Sequence, residues 1–191
     1  MKTYIKYLLI ITLAYFALGF VNIHFAILGL VCMTVPLILL FKDNKKTWCQ
    51  SLCPRASLFS SCGKITKSCS YKTPKFFIQG RMKWIVLGYF MISLLFITIS
   101  TVKVATLSMP PMDYLRFLIV VPIKVAMPQF VELSGIAPWI THFAYRFYSM
   151  MMTTTVLGVI LALIYKPRTW CTICPIATIS DAYLNKKSKT V

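Results

Sequence analysis

Apolar stretches long enough to cross a bilayer recur along this chain, and two of them run straight into nearly the same short sequence. Thr47-Trp48-Cys49-Gln50-Ser51-Leu52-Cys53-Pro54-Arg55-Ala56-Ser57-Leu58 follows the first, and Thr169-Trp170-Cys171-Thr172-Ile173-Cys174-Pro175-Ile176-Ala177-Thr178-Ile179 follows the second. If the two copies are to meet, the chain must return to the same side of the same membrane between them. That requirement removes most topologies.

Hydrophobic residues fill 58% of the 191 positions, more than an ordinary soluble domain carries. Their clustering predicts four membrane-spanning helices, at about 3–21, 25–41, 84–106 and 146–165. The expected fold is an all-α integral membrane protein with a single membrane domain. It consists of two repeated hairpins, 1–83 and 84–191, each followed by a cysteine motif. Asn22-Ile23-His24 reads as a tight turn. Residues 107–145 hold Pro110, Pro111, Pro122, Pro128 and Pro138, and read as an outer interfacial segment with a helix lying along the surface. Tyr114–Phe130 is a poor fifth span because it carries Arg116, Lys124 and two prolines. Residues 1–19 read as a membrane helix rather than a cleaved leader, because the next apolar run starts at once.

Charge orients this arrangement. The chain has 21 Lys and Arg against 4 acids, a net charge of +17. With both termini inside, seventeen cations fall in the inner segments: Lys2, Lys6, the loop 42–83, and the stretch from Lys166 onward. Four fall outside: Lys103, Arg116, Lys124 and Arg146. The positive-inside rule therefore places both cysteine motifs, the N-terminus and the C-terminus in the cytoplasm. Basic charge interleaved with apolar runs does not read as nucleic-acid binding, and no nucleic-acid motif is present.

The cytoplasm is reducing, so cysteines there favour metal ligation over disulfides. Neither motif supplies more than two thiolates. Together Cys49, Cys53, Cys171 and Cys174 supply four, the number that a [4Fe–4S] cluster or a structural zinc requires. Iron–sulfur is the better reading, because zinc commonly holds a domain together and membrane helices already do so here. Pro54 and Pro175 suit the first turn of a short helix, expected at Arg55–Phe59 and Ile176–Leu184. A helix N-terminus beside the thiolates favours a negatively charged cluster. Cys62 and Cys69 could instead complete a ligand set with Cys49 and Cys53 inside one loop, which would leave Cys171 and Cys174 without a purpose. Cys32 reads as a small packing residue of a membrane helix.

His24 and His142 are the two histidines. A haem between them is disfavoured against ordinary interfacial hydrogen bonding. Trp48 and Trp170 read as interface anchors or shields beside the cysteines, and Trp84 and Trp139 as belt residues. Lys45, Lys46, Arg55, Lys64 and Lys67 surround the first motif and would favour reduction of a nearby cluster. The same patch could steer an acidic donor such as a ferredoxin or flavodoxin. Asp43, Asp113, Glu132 and Asp181 form no recognisable hydrolytic pair.

The paired Trp-Cys-x(2,3)-Cys-Pro motifs after membrane helices resemble the bacterial membrane-bound 4Fe-4S binding proteins. That group includes accessory electron-transfer proteins of periplasmic nitrate reductase and nitrous oxide reductase systems. The resemblance implies one [4Fe–4S] cluster in the bacterial cytoplasmic (inner) membrane. It also implies a role as an electron-transfer component, with a quinone or membrane redox protein as a further partner, rather than a stand-alone enzyme. Many relatives carry Gly where this chain has Ala56 and Ala177. A redox-silent scaffold, sensor or maturation factor, and a membrane protein with a structural zinc held by four cysteines, are the alternatives.

Overall fold

Polar punctuation sets the ends of the first helices. The computed structural model describes residues 2–65, 71–78, 80–112, 114–118, 121–123, 130 and 135–188. Helix α1, Lys2–Val21, stops at Asn22. The extended Asn22 backbone lets its side-chain oxygen accept the His24 N–H at 2.9 Å, an N-cap. That cap opens the expected turn, a single 3-10 segment over Ile23–Ile27, which leads into α2, Leu28–Asp43. Pro36 lies inside α2; having no N–H, it leaves the carbonyl four residues earlier, at Cys32, without its helical partner. The short α3, Pro54–Ile65, and α4, Lys75–Ile78, then precede α5, Arg81–Ala105. Helix α6, Pro138–Ile164, ends in the short α7, Thr169–Ile173, and α8, Pro175–Ser188.

The fold is all-α apart from one small hairpin. Among the described residues, three helical stretches are long and apolar enough to cross a membrane: Ile23–Asp43, Arg81–Ala105 and Pro138–Ile164, of 21, 25 and 27 residues. At about 1.5 Å per residue each exceeds or matches a hydrocarbon core of about 30 Å. In α1 the apolar part is the shorter Tyr7–Val21. Helix α5 shows how these helices meet their surroundings. Ser93, Ile97, Ser100 and Val104 form its narrow buried stripe, while Ile85, Met91, Ile92, Leu95, Ile99 and Val102 face outward. A helix apolar all round and buried along one stripe is compatible with lipid on its other faces.

The described part of the outer segment departs from expectation. It is no interfacial helix but an antiparallel pair, β1 (Leu115–Phe117) and β2 (Val121–Ile123), with Arg116 opposite Pro122. Branched Val121 and Ile123 favour extended backbone, and Pro122 lacks the N–H that a helix interior needs. Side chains of α6 satisfy donors on this ribbon: the Arg116 N–H reaches Ser149 Oγ at 3.1 Å and the Leu118 N–H reaches Thr153 Oγ1 at 3.5 Å.

The chain divides into two compact units, and each takes pieces of both sequence repeats. The first is Met1–Thr12, Cys32–Phe90 and Val156–Val191; the second is Leu13–Val31 and Met91–Thr155. The first has a core of Phe59, Ala162, Trp170 and Ile173. The second packs Ile23, Ala26, Met112, Leu115, Ala144, Tyr145 and Tyr148. Both cysteine motifs belong to the first unit.

Candidate metal centre

The two motifs differ by one residue between their cysteines, and the backbone absorbs the difference. Trp48–Leu52 forms a π-helical turn, in which the Cys53 N–H bonds the Trp48 carbonyl five residues back at 2.9 Å. The shorter second copy makes an ordinary α-helical turn, α7. A π turn holds one more residue than an α turn. Cys53 and Cys174 therefore reach the same position, just before a proline-initiated helix. Both have extended backbone, and their carbonyls accept the first helical bonds, from Ser57 N–H at 3.4 Å and Thr178 N–H at 3.0 Å. The helices after Pro54 and Pro175 start where the sequence predicts and run further, to Ile65 and Ser188. Ala56 and Ala177 lie in their first turns with helical backbone, where a β-carbon causes no conflict.

Cys174 shows what this position offers a sulfur. Backbone N–H groups of Ile176 and Ala177 donate to its thiol group, as a capping oxygen would be served at a helix start. The four motif thiols also sense one another. Cys174 and Cys53 act on Cys49, and Cys53, Cys174 and Cys49 act on Cys171. A cation accompanies three of them: Lys46 at Cys49, Arg55 at Cys174 and Arg168 at Cys171. Burial pushes the Cys49 thiol up to about 11, with the neighbouring sulfurs adding to it. Burial likewise pushes Cys171 up to about 12. At Cys174 burial outweighs the two backbone donors and raises the thiol as well. Metal-free, these three sulfurs hold their protons at neutral pH; a bound metal takes the protons' place.

Four cysteine thiolates are a donor set that suits either a zinc ion or an iron–sulfur cluster. Tetrahedral zinc at about 2.3 Å from each sulfur draws four sulfurs to about 3.8 Å from one another. Among the described residues, no three His, Cys, Asp or Glu side chains gather to hold one ion. The four motif thiols are within electrostatic reach of one another.

Helix α3 carries the first motif onto the second. Phe59, 1% exposed, presses on Gly158. Gly63 abuts Pro167, so that an added β-carbon would meet Pro167 Cγ at 2.5 Å and its Cα at 3.1 Å. Arg168 Nε donates to Ser60 Oγ at 3.3 Å, and Ser60 Oγ donates to the Ala56 carbonyl at 2.7 Å. Arg168 holds φ at 85°, a left-handed conformation costly for a non-glycine residue, and turns the end of α6 into α7. Trp170 is buried in the same core, against which Cys171 and Cys174 pack. Helix α8 is tied back to the first repeat: Lys46 pairs with Asp181, Lys187 Nζ donates to Asn44 Oδ1 at 2.8 Å, and Phe41 meets Tyr183 edge-on at 5.1 Å.

The remaining cysteines and histidines separate clearly. Cys62 is half-buried on α3 and is not among the groups acting on Cys49, Cys171 or Cys174. Cys69 lies outside the described residues. Cys32, on α2, lies within electrostatic reach of Cys53, Cys174 and Arg55. No motif flags it, and its place beside the sulfurs follows from the tertiary packing of α2. The histidines already have partners. His24 Nδ1 meets Asn22 Oδ1 at 2.7 Å and its Nε2 meets Thr141 Oγ1 at 3.2 Å. His142, 1% exposed, accepts the Met112 N–H at Nδ1, 3.1 Å away, and its Nε2 meets Ser100 Oγ at 3.2 Å. Both ring nitrogens of each are within hydrogen-bonding distance of a protein partner. Trp84 and Trp139 are 56% and 44% exposed, as belt residues would be.

Comparison with curated proteins and with solved structures gives no match. A protein family described as a 4Fe-4S binding domain matches twice, at residues 25–66 and again at residues 148–190. The first segment contains Cys49 and Cys53, and the second contains Cys171 and Cys174. The chain is thus similar to that 4Fe-4S binding domain in two segments, each of which brings one cysteine pair into the same compact unit.

Proposed function

We propose that this is a membrane-embedded electron carrier that holds one [4Fe–4S] cluster through Cys49, Cys53, Cys171 and Cys174 at the cytoplasmic face. The observation that carries the reading is that the cysteine pairs of the two matched segments fall in one unit, within electrostatic reach of one another. A bound cluster of this kind supplies one-electron oxidation and reduction. The chain supplies the surroundings. Cys174 sits at a helix start with two N–H donors, and Lys46, Arg55 and Arg168 place positive charge beside the sulfurs. Both effects favour the more negative, reduced state.

Four membrane spans, with α1 as the fourth, bring both motifs to one side, and the seventeen-to-four distribution of cations makes that side the cytoplasm of a bacterial inner membrane. Exposed Lys45 and Lys64 then offer a docking surface for an acidic donor such as a ferredoxin or flavodoxin. Lys46 contributes less to it than sequence position suggests, because Asp181 neutralises it. A quinone or membrane redox protein is the natural acceptor.

The decisive experiment is anaerobic purification of the full chain. Iron and sulfide contents near four each, with a reduced-state EPR signal appearing reversibly in a redox titration, support the carrier. Four irons with no reducible signal leave a redox-silent scaffold. Zinc in place of iron refutes the reading. Reporter fusions at Pro111 and Lys187 test the topology; an outward-facing Lys187 overturns the four-span arrangement.

A further inference from the structure

The second compact unit holds two arginines that the cysteine chemistry does not use. Arg146, on α6, is 6% exposed, and its buried Nε has no hydrogen-bond partner. Its guanidinium carbon stands 5.2 Å from the Phe96 ring centroid. Arg116, on β1, is half-buried, and its Nε is likewise buried and unpartnered. Arg116 Nη2 donates to Tyr114 Oη at 2.7 Å, which leaves the tyrosine hydrogen to be given elsewhere. Arg146, Ser149 and Thr153 fall on one face of α6, and the latter two bond the β1 ribbon. Arg146 is thus turned toward Tyr114 and Arg116, and both act on it electrostatically.

This is an expensive arrangement for a protein to build empty. A buried guanidinium is costly unless paired, and a second positive charge beside it adds repulsion. Among the described residues this unit has no carboxylate; its acids, Asp113 and Glu132, lie outside them. Guanidinium forks match phosphate oxygens in geometry and charge. Trp139, 44% exposed, lies two turns earlier on α6, and half-exposed tryptophans sit at headgroup level.

We propose that Arg146, Arg116 and Tyr114 form a binding site for a phosphate-bearing anion, occupied in the membrane by a phospholipid headgroup. Arg146 is the floor of the site, stacked on Phe96, and Arg116 with Tyr114 is its half-open mouth. The ligand's oxygens take the donors that the protein leaves unpaired.

Native mass spectrometry of the detergent-solubilised full chain tests this with phosphatidylglycerol, phosphatidylcholine and inorganic phosphate as probes. The expected result is one phosphatidylglycerol retained per chain, with phosphatidylcholine held more weakly. Arg146→Gln and Arg116→Gln should each weaken retention at least about tenfold, the loss expected for a charge-assisted hydrogen bond, and Arg146→Lys should weaken it less. Displacement of the lipid by millimolar inorganic phosphate would assign the same site to the free ion. The wild-type melting temperature should rise with phosphatidylglycerol more than with phosphatidylcholine, a readout that needs no variant to fold. Unsaturable binding, or equal binding by wild type and both glutamine variants, overturns the proposal. So does lipid binding that wild type lacks and Asp113→Asn or Glu132→Gln creates, since the arginines would then be paired within the chain.

Discussion

Phe59 lies so tightly over Gly158 that a β-carbon on the glycine would come 2.3 Å from Phe59 Cζ. The ring is fully buried and has little room to retreat. Overpacking of this kind costs about 1–3 kcal/mol, and here the strain falls on the helix that begins at the first cysteine pair. Gly158→Ala should therefore lower both melting temperature and iron retention, and so should Gly63→Ala, which would push against Pro167. Pairing Gly158→Ala with Phe59→Leu should restore much of the loss. Iron per chain after gel filtration, alongside thermal unfolding, measures both effects.

Removing any one motif thiol should be worse. Cys49→Ser, Cys53→Ser, Cys171→Ser and Cys174→Ser are each expected to strip or destabilise the cluster, while Cys62→Ser and Cys69→Ser leave iron content near wild type. Full iron in the Cys171 and Cys174 variants, together with loss in those at 62 and 69, would refute a site shared by the two motifs. Anaerobic iron and sulfide assays decide it.

The Lys46–Asp181 pair joins the two halves of the unit, with both side chains 35% exposed. At that exposure it contributes at most about 1 kcal/mol. Asp181→Asn should lower the melting temperature slightly, and the exchange Lys46→Asp with Asp181→Lys should recover the loss. Lys45→Glu and Lys64→Glu touch neither partner. They should slow reduction by an acidic donor without changing iron content. The wild-type rate should fall as salt rises, because exposed charges are screened over about 10 Å at 0.1 M ionic strength.

Alkaline pH should act against the metal-free fold. The Cys49 and Cys171 thiols are raised from 9.0 to about 11 and about 12, so the folded state holds protons that the unfolded chain releases first. Their contribution is fully present below about pH 9 and is lost as pH climbs through 11 to 12. Thermal melts of the apoprotein between pH 8 and 11 should fall steadily, and less so for Cys171→Ala. Cluster reconstitution should run the other way and speed up from pH 7 to 9, since ligation requires the thiolate.

What the sequence reveals about this fold is what local chemistry encodes. Pro54 and Pro175 mark helix starts because proline can occupy a first turn without losing a bond, and α3 and α8 begin there. Asn22 announces its turn for a similar reason. The π turn at Trp48–Leu52 is less legible, although the extra residue between Cys49 and Cys53 is its cause. The hairpin at Leu115–Ile123 hides behind proline and charge spacing that suits several surface conformations, and side chains thirty residues away on α6 help to settle it. Cys32 within electrostatic reach of Cys53, and Lys46 paired with Asp181, are relations between distant segments. No periodicity records them.

The unit that gathers the thiols is stitched from three separate stretches of chain, and this has a consequence in time. About 120 residues separate Cys53 from Cys171, which at roughly 5–20 residues per second is some 6–24 s of synthesis. On the proposed ligand set, the nascent protein carries two of the four ligands throughout that interval. On that ligand set, cofactor delivery would wait until α7 has been made. A ribosome stalled before α7 yields a product in which Cys49 and Cys53 lack their proposed partners Cys171 and Cys174.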